Sequence, residues 1–260
     1  MAHRLFEEKE HAASYWKYRV SPSAQLIDKV LVFLEKKGLP FELAVDVGCG
    51  SGQGTGLLAN HFSTVVGTDI SPAQLEVAME HATAQNITYR HCPAENLPFG
   101  DSSVDLLTAM SAFHWFDRPR FLQEANRVLK PRGCLALINY TMDMELSHAD
   151  CCPNSLNDVC KEFYAALQPY RNPHLGPSSV ELYRQTYEAL SYTEKECYIG
   201  MVESFSSYQA LRQKDPEEAR RLSSHITHRL LTVMGVTSSE TEVIVGVRYF
   251  YLLACKPGNE

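Results

Sequence analysis

Val45-Asp46-Val47-Gly48-Cys49-Gly50-Ser51-Gly52-Gln53-Gly54-Thr55-Gly56 is an apolar strand that ends in an acid and breaks into alternating glycines. Glycine takes φ > 0 without penalty and lets a ligand approach main-chain N–H groups with no Cβ in the way, as a tight strand-to-helix crossing over a nucleotide-type cofactor requires. The register of the glycines narrows the ligand. The third glycine of a Gly-x-Gly-x-x-Gly pattern would have to stand at Gln53, Thr55 or Leu57, and no Gly-Lys-Ser/Thr follows, so pyrophosphate is a poor fit. The Asp46 carboxylate would repel a phosphate, whereas it suits a ligand that carries an ammonium and a sulfonium. The competing reading is a glycine-rich turn with no ligand.

A second acid points the same way. Thr64-Val65-Val66-Gly67-Thr68-Asp69 is a short strand of β-branched residues that ends in Asp69. Asp69 lies about twenty residues beyond the first glycine, where nucleotide-binding α/β units place the carboxylate that grips ribose hydroxyls. Ser71-Pro72-Ala73-Gln74 then carries an N-cap serine, proline at the first helical position and glutamine at the capping-box position, so a helix starts there. Asp69 as a mere cap for that helix is the alternative, but Ser71 fills that role better. S-adenosylmethionine is a ligand with the required charges and ribose.

The composition fits one α/β core. The chain has 260 residues, 45% of them hydrophobic and 21% charged, enough for a single substantial domain with an inserted cap. Its formal net charge of −7 and the lack of a basic run argue against a nucleic-acid partner. No apolar run is long enough to cross a bilayer and the first ten residues lack the apolar centre of a signal peptide, so a soluble cytoplasmic protein, monomer or homodimer, is expected. The eight cysteines show no metal-ligand spacing, and no metal is expected. Adjacent Cys151 and Cys152 cannot bridge in ordinary geometry, and Cys49, although in the glycine loop, reads more simply as a small buried filler than as a nucleophile.

The order of elements predicts a doubly wound, mostly parallel seven-stranded sheet. Strands are expected over 43–47, 64–69, 87–91, 104–110 and 134–139, with helices over 22–37, 55–60, 72–84 and 119–129. After residue 139 the pattern becomes irregular from about Met142 to Gly176, with a helical stretch over 156–167, which reads as a cap inserted after the fifth strand. Helices near 204–212 and 216–234 and a β-rich run over 242–256, antiparallel and closing the sheet, end the chain. The expected organisation is a helical lid over 1–38, a cofactor-binding core over 40–140, a cap and C-terminal helices over 141–235 and a closing strand over 240–257. Ligands of such sheets bind at the carboxyl ends of the strands, so Asp46, Asp69, the turn 93–96 and the segment Ser111 to Asp117 are expected around one crevice.

Taken together, Asp46-Val-Gly-Cys-Gly-Ser-Gly52, Asp69, Ala94-Glu95-Asn96-Leu97-Pro98-Phe99 with Asp101-Ser-Ser-Val-Asp105, and Arg127-Val-Leu-Lys-Pro-Arg-Gly133 resemble the class I S-adenosylmethionine-dependent methyltransferases, over roughly residues 40 to 140. His114-Trp115-Phe116-Asp117 and Tyr15-Trp16-x-Tyr18-Arg19 resemble the subgroup of trans-aconitate methyltransferases, which esterify small carboxylic acids. The resemblance implies S-adenosylmethionine as cofactor, Gly48 and Gly50 beside its methionine moiety, Asp69 on its ribose, and Ala94 and Glu95 near its adenine. With Tyr18, Arg19, Asp46, Gly52, Ile70 and Ser111 these residues make up the expected cofactor set. Where the family often has Pro-Gly-Gly, this chain has Pro131-Arg132-Gly133.

In-line methyl transfer asks mainly for alignment in a site that excludes water. His114 is the group best placed to accept a proton from a hydroxyl or amine acceptor, with a structural role as the alternative. Phe113 and Trp115 are expected to wall the pocket. Tyr15, Tyr18 and Arg19 either close over the methionine carboxylate, with Arg19 as its ion-pair partner, or belong to a docking helix. The expected acceptor is a small molecule, a carboxylate among the choices, and Tyr170, Arg171 and His174 are candidates to hold it. A protein or RNA acceptor, or a cofactor-binding subunit without turnover, are the competing functions.

Overall fold

Alternate residues of the central strands face opposite ways, and both faces are buried. In the computed structural model, which describes residues 8–19, 21–140, 144–149, 151–172, 190–196, 198–238 and 241–258, β1 (Leu43–Val47), β2 (Thr64–Asp69), β3 (Ile87–His91), β4 (Val104–Met110) and β5 (Leu129–Tyr140) pair in parallel in the order β3-β2-β1-β4-β5. Along β5, Cys134, Ala136 and Ile138 join one apolar cluster while Leu135 and Leu137 join the other. A period of two with both faces apolar is what a parallel sheet covered on both sides requires.

The sheet is closed by β8 (Val243–Cys255), antiparallel to β5. Two further strands, β6 (Glu145–Ser147) and β7 (Leu190–Glu196), also pair with β8 in antiparallel fashion. Tyr249 pairs with both Tyr140 of β5 and Leu190 of β7, and Gly246 with both Glu145 of β6 and Thr193 of β7. Hence β5 and β6 share one side of β8 and β7 takes the other, so that the eight strands among the described residues stand in seven ranks. The expected seven-stranded count is right for the ranks. β6 is too short, and β7 (Leu-Ser-Tyr-Thr-Glu-Lys-Glu) too polar, to be picked out by apolar alternation.

Helices cover both faces. Among the described residues they are α1 (Lys9–Tyr18), α2 (Ala24–Glu35), α3 (Gln53–Leu58), α4 (Pro72–His81), α5 (Arg118–Val128), α6 (Pro153–Leu167), α7 (Tyr198–Glu203), α8 (Ser206–Lys214) and α9 (Pro216–Met234). Ser23 caps α2, and Leu26, Ile27, Val30, Leu31 and Leu34 on its apolar face are buried in the cluster that includes Leu106 and Ala136. The lid expected over 1–38 is therefore narrower. α2 belongs to the core, and only α1 and the turn after it approach the crevice.

The strand order reverses between β2 and β4 on either side of β1, which fixes the crevice above the ends of β1 and β4. At the opposite, amino ends of these strands an ion pair holds them in place. Asp105, fully buried, accepts from the Leu43 amide at 2.9 Å and meets the Lys130 ammonium at 2.9 Å, while Lys130 also reaches Glu42 at 2.7 Å. Removing the cation would strand a buried carboxylate. Lys130→Met is expected to cost about 3 kcal/mol of stability, read as a lower thermal midpoint with the cofactor affinity of the remaining folded protein unchanged.

Candidate active site

The chain leaves β1 through a turn that only glycine tolerates. Gly48 has φ +68°, and a Cβ there would lie 2.6 Å from the Cβ of Ala112 and 3.1 Å from the Phe116 ring. The Gly48 and Cys49 amides both donate to the Thr68 carbonyl, at 2.7 and 2.9 Å, and the Gly50 amide donates to Asp69 Oδ2 at 2.8 Å. These bonds fasten the glycine loop to the end of β2. Above it opens a cavity of about 410 Å³, bordered by the carboxyl ends of β1, β2, β4 and β5, within the usual range for small-molecule sites.

Two buried acids underlie that cavity. Asp46 accepts from the Thr55 hydroxyl at 2.7 Å and from the Thr108 hydroxyl at 2.8 Å, so each oxygen is held. Burial pushes its carboxyl up to about 6, against the pull of the two hydroxyl bonds and with the Asp69 charge adding to the rise. Asp69 accepts from the Ser71 amide through Oδ1 and from the Gly50 amide through Oδ2, both at 2.8 Å. Burial raises this carboxyl too, against those amide bonds. Each Asp69 oxygen has one backbone donor and keeps a lone pair for another.

Ser71, not Asp69, caps α4: its hydroxyl accepts from the Gln74 amide. The capping box predicted at Gln74 does not close, because Asp69 already takes the Ser71 N–H. The Gln74 side chain turns instead toward the loop and borders the cavity, and its amide oxygen is buried without a hydrogen-bond partner.

Of the expected residues, Arg19, Asp46, Gly48, Gly50, Asp69, Ile70, Ala94, Glu95, Ser111 and His114 all line the cavity. Tyr18 and Gly52 do not. The Tyr18 ring packs on Gly200 of α7, within 2.6 to 2.8 Å of where a Cβ would stand. Gly52, at φ +89°, is the N-cap of α3, and a Cβ there would strike the Tyr89 hydroxyl on the far side of the loop. Ser111 holds φ +56° and donates its amide to the Ile138 carbonyl at 2.7 Å, a strained conformation at the mouth of the site. Glu95 accepts from the Asp117 amide at 2.7 Å and so ties the turn after β3 to the start of α5. Of the residues named to wall the pocket, Trp115 borders it, whereas Phe113 is buried in the second apolar cluster. Cys49 borders the site with its thiol pushed well up by burial and the nearby acids, which removes it as a nucleophile.

Residues distant in sequence complete the walls. Tyr15 and Arg19, one helical turn apart, reach in from α1 and the turn after it. The Arg19 guanidinium lies over the rings of Tyr15, Phe205 and Tyr140, at 4.7, 4.8 and 5.5 Å. α1 is held by Gln53 Nε2 donating to the Trp16 carbonyl at 3.1 Å, by Trp16 stacked on His81 at 3.7 Å, and by His11 Nε2 donating to the Ser204 carbonyl at 3.0 Å. Asn139, Tyr140 and Tyr249 enter from β5 and β8, Tyr164 and Arg171 from α6 and the turn after it, and Phe205, Ser206 and Ser207 from the start of α8. Tyr170 packs near Lys214 and is not a wall residue; His174 lies outside the described residues.

A methyltransferase domain model matches residues 45–137, the stretch that carries both acids and the glycine loop. These residues form a methyltransferase domain of the class I S-adenosylmethionine-dependent kind. A Dictyostelium discoideum protein of methyltransferase type is 28% identical over 213 residues, covering 78% of each chain. The malonyl-[acyl-carrier protein] O-methyltransferase of Hahella chejuensis is 35% identical over 129 residues, covering 47% of this chain and 46% of its own. A type II methyltransferase-like chain from Anaeromyxobacter dehalogenans superposes with a TM-score of 0.69 at 23% identity, covering 88% of this chain and 97% of its own, and shows the shared fold.

The site suits S-adenosylmethionine, since buried acids complement a cationic donor and the glycine turn opens main-chain approach. Because burial raises Asp46 above its unfolded value of 3.8, the free folded protein holds this proton more tightly than the unfolded chain does. Its stabilising contribution is thus complete below about pH 4 and is lost as pH rises through about 6. A bound sulfonium favours the ionised carboxylate and opposes this. The affinity for S-adenosylmethionine is accordingly expected to rise between pH 5 and pH 7, and that for the uncharged thioether S-adenosylhomocysteine to rise less, as measured by calorimetry across that range.

Proposed function

We propose that this methyltransferase esterifies a small acceptor bearing a carboxylate, bound beside the cofactor in the same cavity. The observation that carries the reading is the separation of charge across the sheet. Asp46 and Asp69 lie at the ends of β1 and β2 and Glu95 in the turn after β3, whereas Arg19 lies over the Tyr140 ring of β5 and Arg171 follows α6, which packs on β6 beside β8; all five border the cavity. Neither arginine has an ion-pair partner among the described residues. A cation on one side and an anion on the other is the pairing such a cavity selects. The resemblance of the His114-Trp115-Phe116-Asp117 segment to carboxylate-esterifying enzymes supports the same class, and the Hahella relative is itself named for an O-methyl transfer.

S-adenosylmethionine supplies a methyl group activated by its sulfonium. The protein aligns and shields. Asp69 accepts from the ribose hydroxyls through the lone pairs its two amide bonds leave open. Gly48 and Gly50 admit the methionine portion, Ala94 and Glu95 border the adenine, and Arg19 pairs with the methionine carboxylate. Tyr15, Tyr140 and Phe205 hold the Arg19 fork in place and keep water from it. Arg171 receives the acceptor's carboxylate, or its second carboxylate where there are two. A carboxylate oxygen attacks without losing a proton, so His114, buried in the 3₁₀ turn Phe113–Trp115, orients the acceptor by hydrogen bonding. With a hydroxyl or amine acceptor the same imidazole would take the proton.

Two results test this. Asp69→Ala should weaken S-adenosylhomocysteine binding by roughly 1.5–3 kcal/mol through loss of charge-assisted hydrogen bonds, and unchanged affinity in calorimetry would put the ribose elsewhere. Methyl-labelled S-adenosylmethionine incubated with the enzyme and a cell extract should place label in the small-molecule fraction, released as methanol by mild alkali as an ester demands. Arg171→Ala should lower that yield by about 10- to 100-fold at limiting acceptor. Label confined to protein or RNA, or stable to alkali, contradicts the proposal.

A further inference from the structure

Cys134 and Cys255 stand directly opposite each other in the antiparallel β5–β8 ladder, and both thiols are free. The hydrogen bonds beside them fix which kind of pair they form. The Lys256 amide donates to the Gly133 carbonyl at 2.9 Å and the Arg132 amide donates to the Lys256 carbonyl at 3.0 Å. Two residues on β5 thus oppose one, Lys256, just past the end of β8, with Arg132 at φ +68°, which is a G1-type bulge whose first position ordinarily belongs to glycine. The Pro131-Arg132-Gly133 departure from Pro-Gly-Gly therefore puts an arginine at the strained position of that bulge. Since hydrogen-bonded and non-hydrogen-bonded pairs alternate along an antiparallel ladder, and Gly133 with Lys256 is hydrogen-bonded, Cys134 with Cys255 is the non-hydrogen-bonded pair.

Such pairs bring Cα atoms to about 4.5 Å with both side chains on one face, inside the range a disulfide can span but near its short limit. Cys134 is buried and Cys255 exposed. Burial, with Cys255 nearby, pushes the Cys134 thiol up to about 11. Among the described residues no other two cysteines face each other in a strand ladder, and Cys151 and Cys152 are chain neighbours.

We propose that Cys134 and Cys255 are a site of reversible oxidation, forming a cross-strand disulfide that ties the closing strand to β5. The oxidant is a low-molecular-weight disulfide such as oxidised glutathione. The thiolate of exposed Cys255 attacks one glutathione sulfur, forming a mixed disulfide and releasing one glutathione thiolate. The Cys134 thiolate then attacks the Cys255 sulfur and releases the second. Two protein thiols lose two protons and two electrons, and one glutathione disulfide becomes two glutathiones. The pair lies at the end of the ladder remote from Tyr140 and Tyr249, so the site itself keeps its walls. Near its short limit the bridge is strained, hence readily reduced.

The native enzyme is titrated with glutathione redox buffers, then alkylated and digested. Expected are a peptide linking Cys134 to Cys255, a fall from eight titratable thiols to six, faster migration in a non-reducing gel because the link closes a loop with 120 residues between its ends, and a higher thermal midpoint that dithiothreitol reverses. The exposed-site variant Cys255→Ser should show neither the link nor the midpoint rise while binding S-adenosylhomocysteine as the unmodified enzyme does. Glutathione retained on Cys255 with no link to Cys134, a link between any other pair, or the same midpoint rise in Cys255→Ser overturns the proposal.

Discussion

A carboxylate held in the interior at the point where the strand order reverses is the constraint on which the rest of this molecule depends. Asp46 sits on β1 opposite Thr108 of β4, and the hydroxyls of Thr108 and of Thr55 on α3 occupy its two oxygens. An unpaired buried charge would be prohibitive, and two hydroxyl donors moderate its cost without neutralising it. The residual cost is what a cation in the cavity relieves. The same two bonds fix the start of α3 relative to β1 and β4, so the electrostatic requirement of the site and the geometry of the loop are satisfied by one arrangement.

From that point the site grows outward through backbone bonds. The tie between Gly50 and Asp69 makes the second acid a brace for the glycine loop as well as a ligand-facing group, and it diverts the Ser71 amide so that Gln74 turns to the cavity. α1 then lies across the opening, held by the buried bond from His11 to the Ser204 carbonyl, by Ala12 packed on Ala73 and Val77 of α4, by the Trp16–His81 stack and by the exposed pair of Lys9 with Glu76. Exposed pairs of this kind contribute little individually.

Much of this was legible in the sequence because it is local. The glycine loop, both acids, the five parallel strands and the Ser71 cap are each contained in a dozen residues or fewer, where spacing and residue type decide conformation. What escaped depends on partners distant along the chain. Tyr18 and Arg19 look equally suited to reach a ligand, yet α7 claims the Tyr18 ring and leaves Arg19 to the cavity. Gln74 has the spacing of a capping box and loses that role to an acid two residues before the cap. α2 resembles a lid helix until its apolar face is seen to fill the core, and β7 becomes a strand through pairing with β8 rather than through its own pattern. Tyr140, Tyr249 and Phe205 carried no signal, because tyrosine and phenylalanine at element ends are ordinary core residues until three elements converge.

A crystal structure of the enzyme soaked with S-adenosylhomocysteine would test the central claim most directly. The account predicts the ribose hydroxyls within hydrogen-bond distance of both Asp69 oxygens, the amino-acid portion across Gly48 and Gly50, and its carboxylate against Arg19 beneath α1. Adenosyl density on the β5–β8 side beside Arg171, with Asp69 making no contact to the ribose, would contradict it.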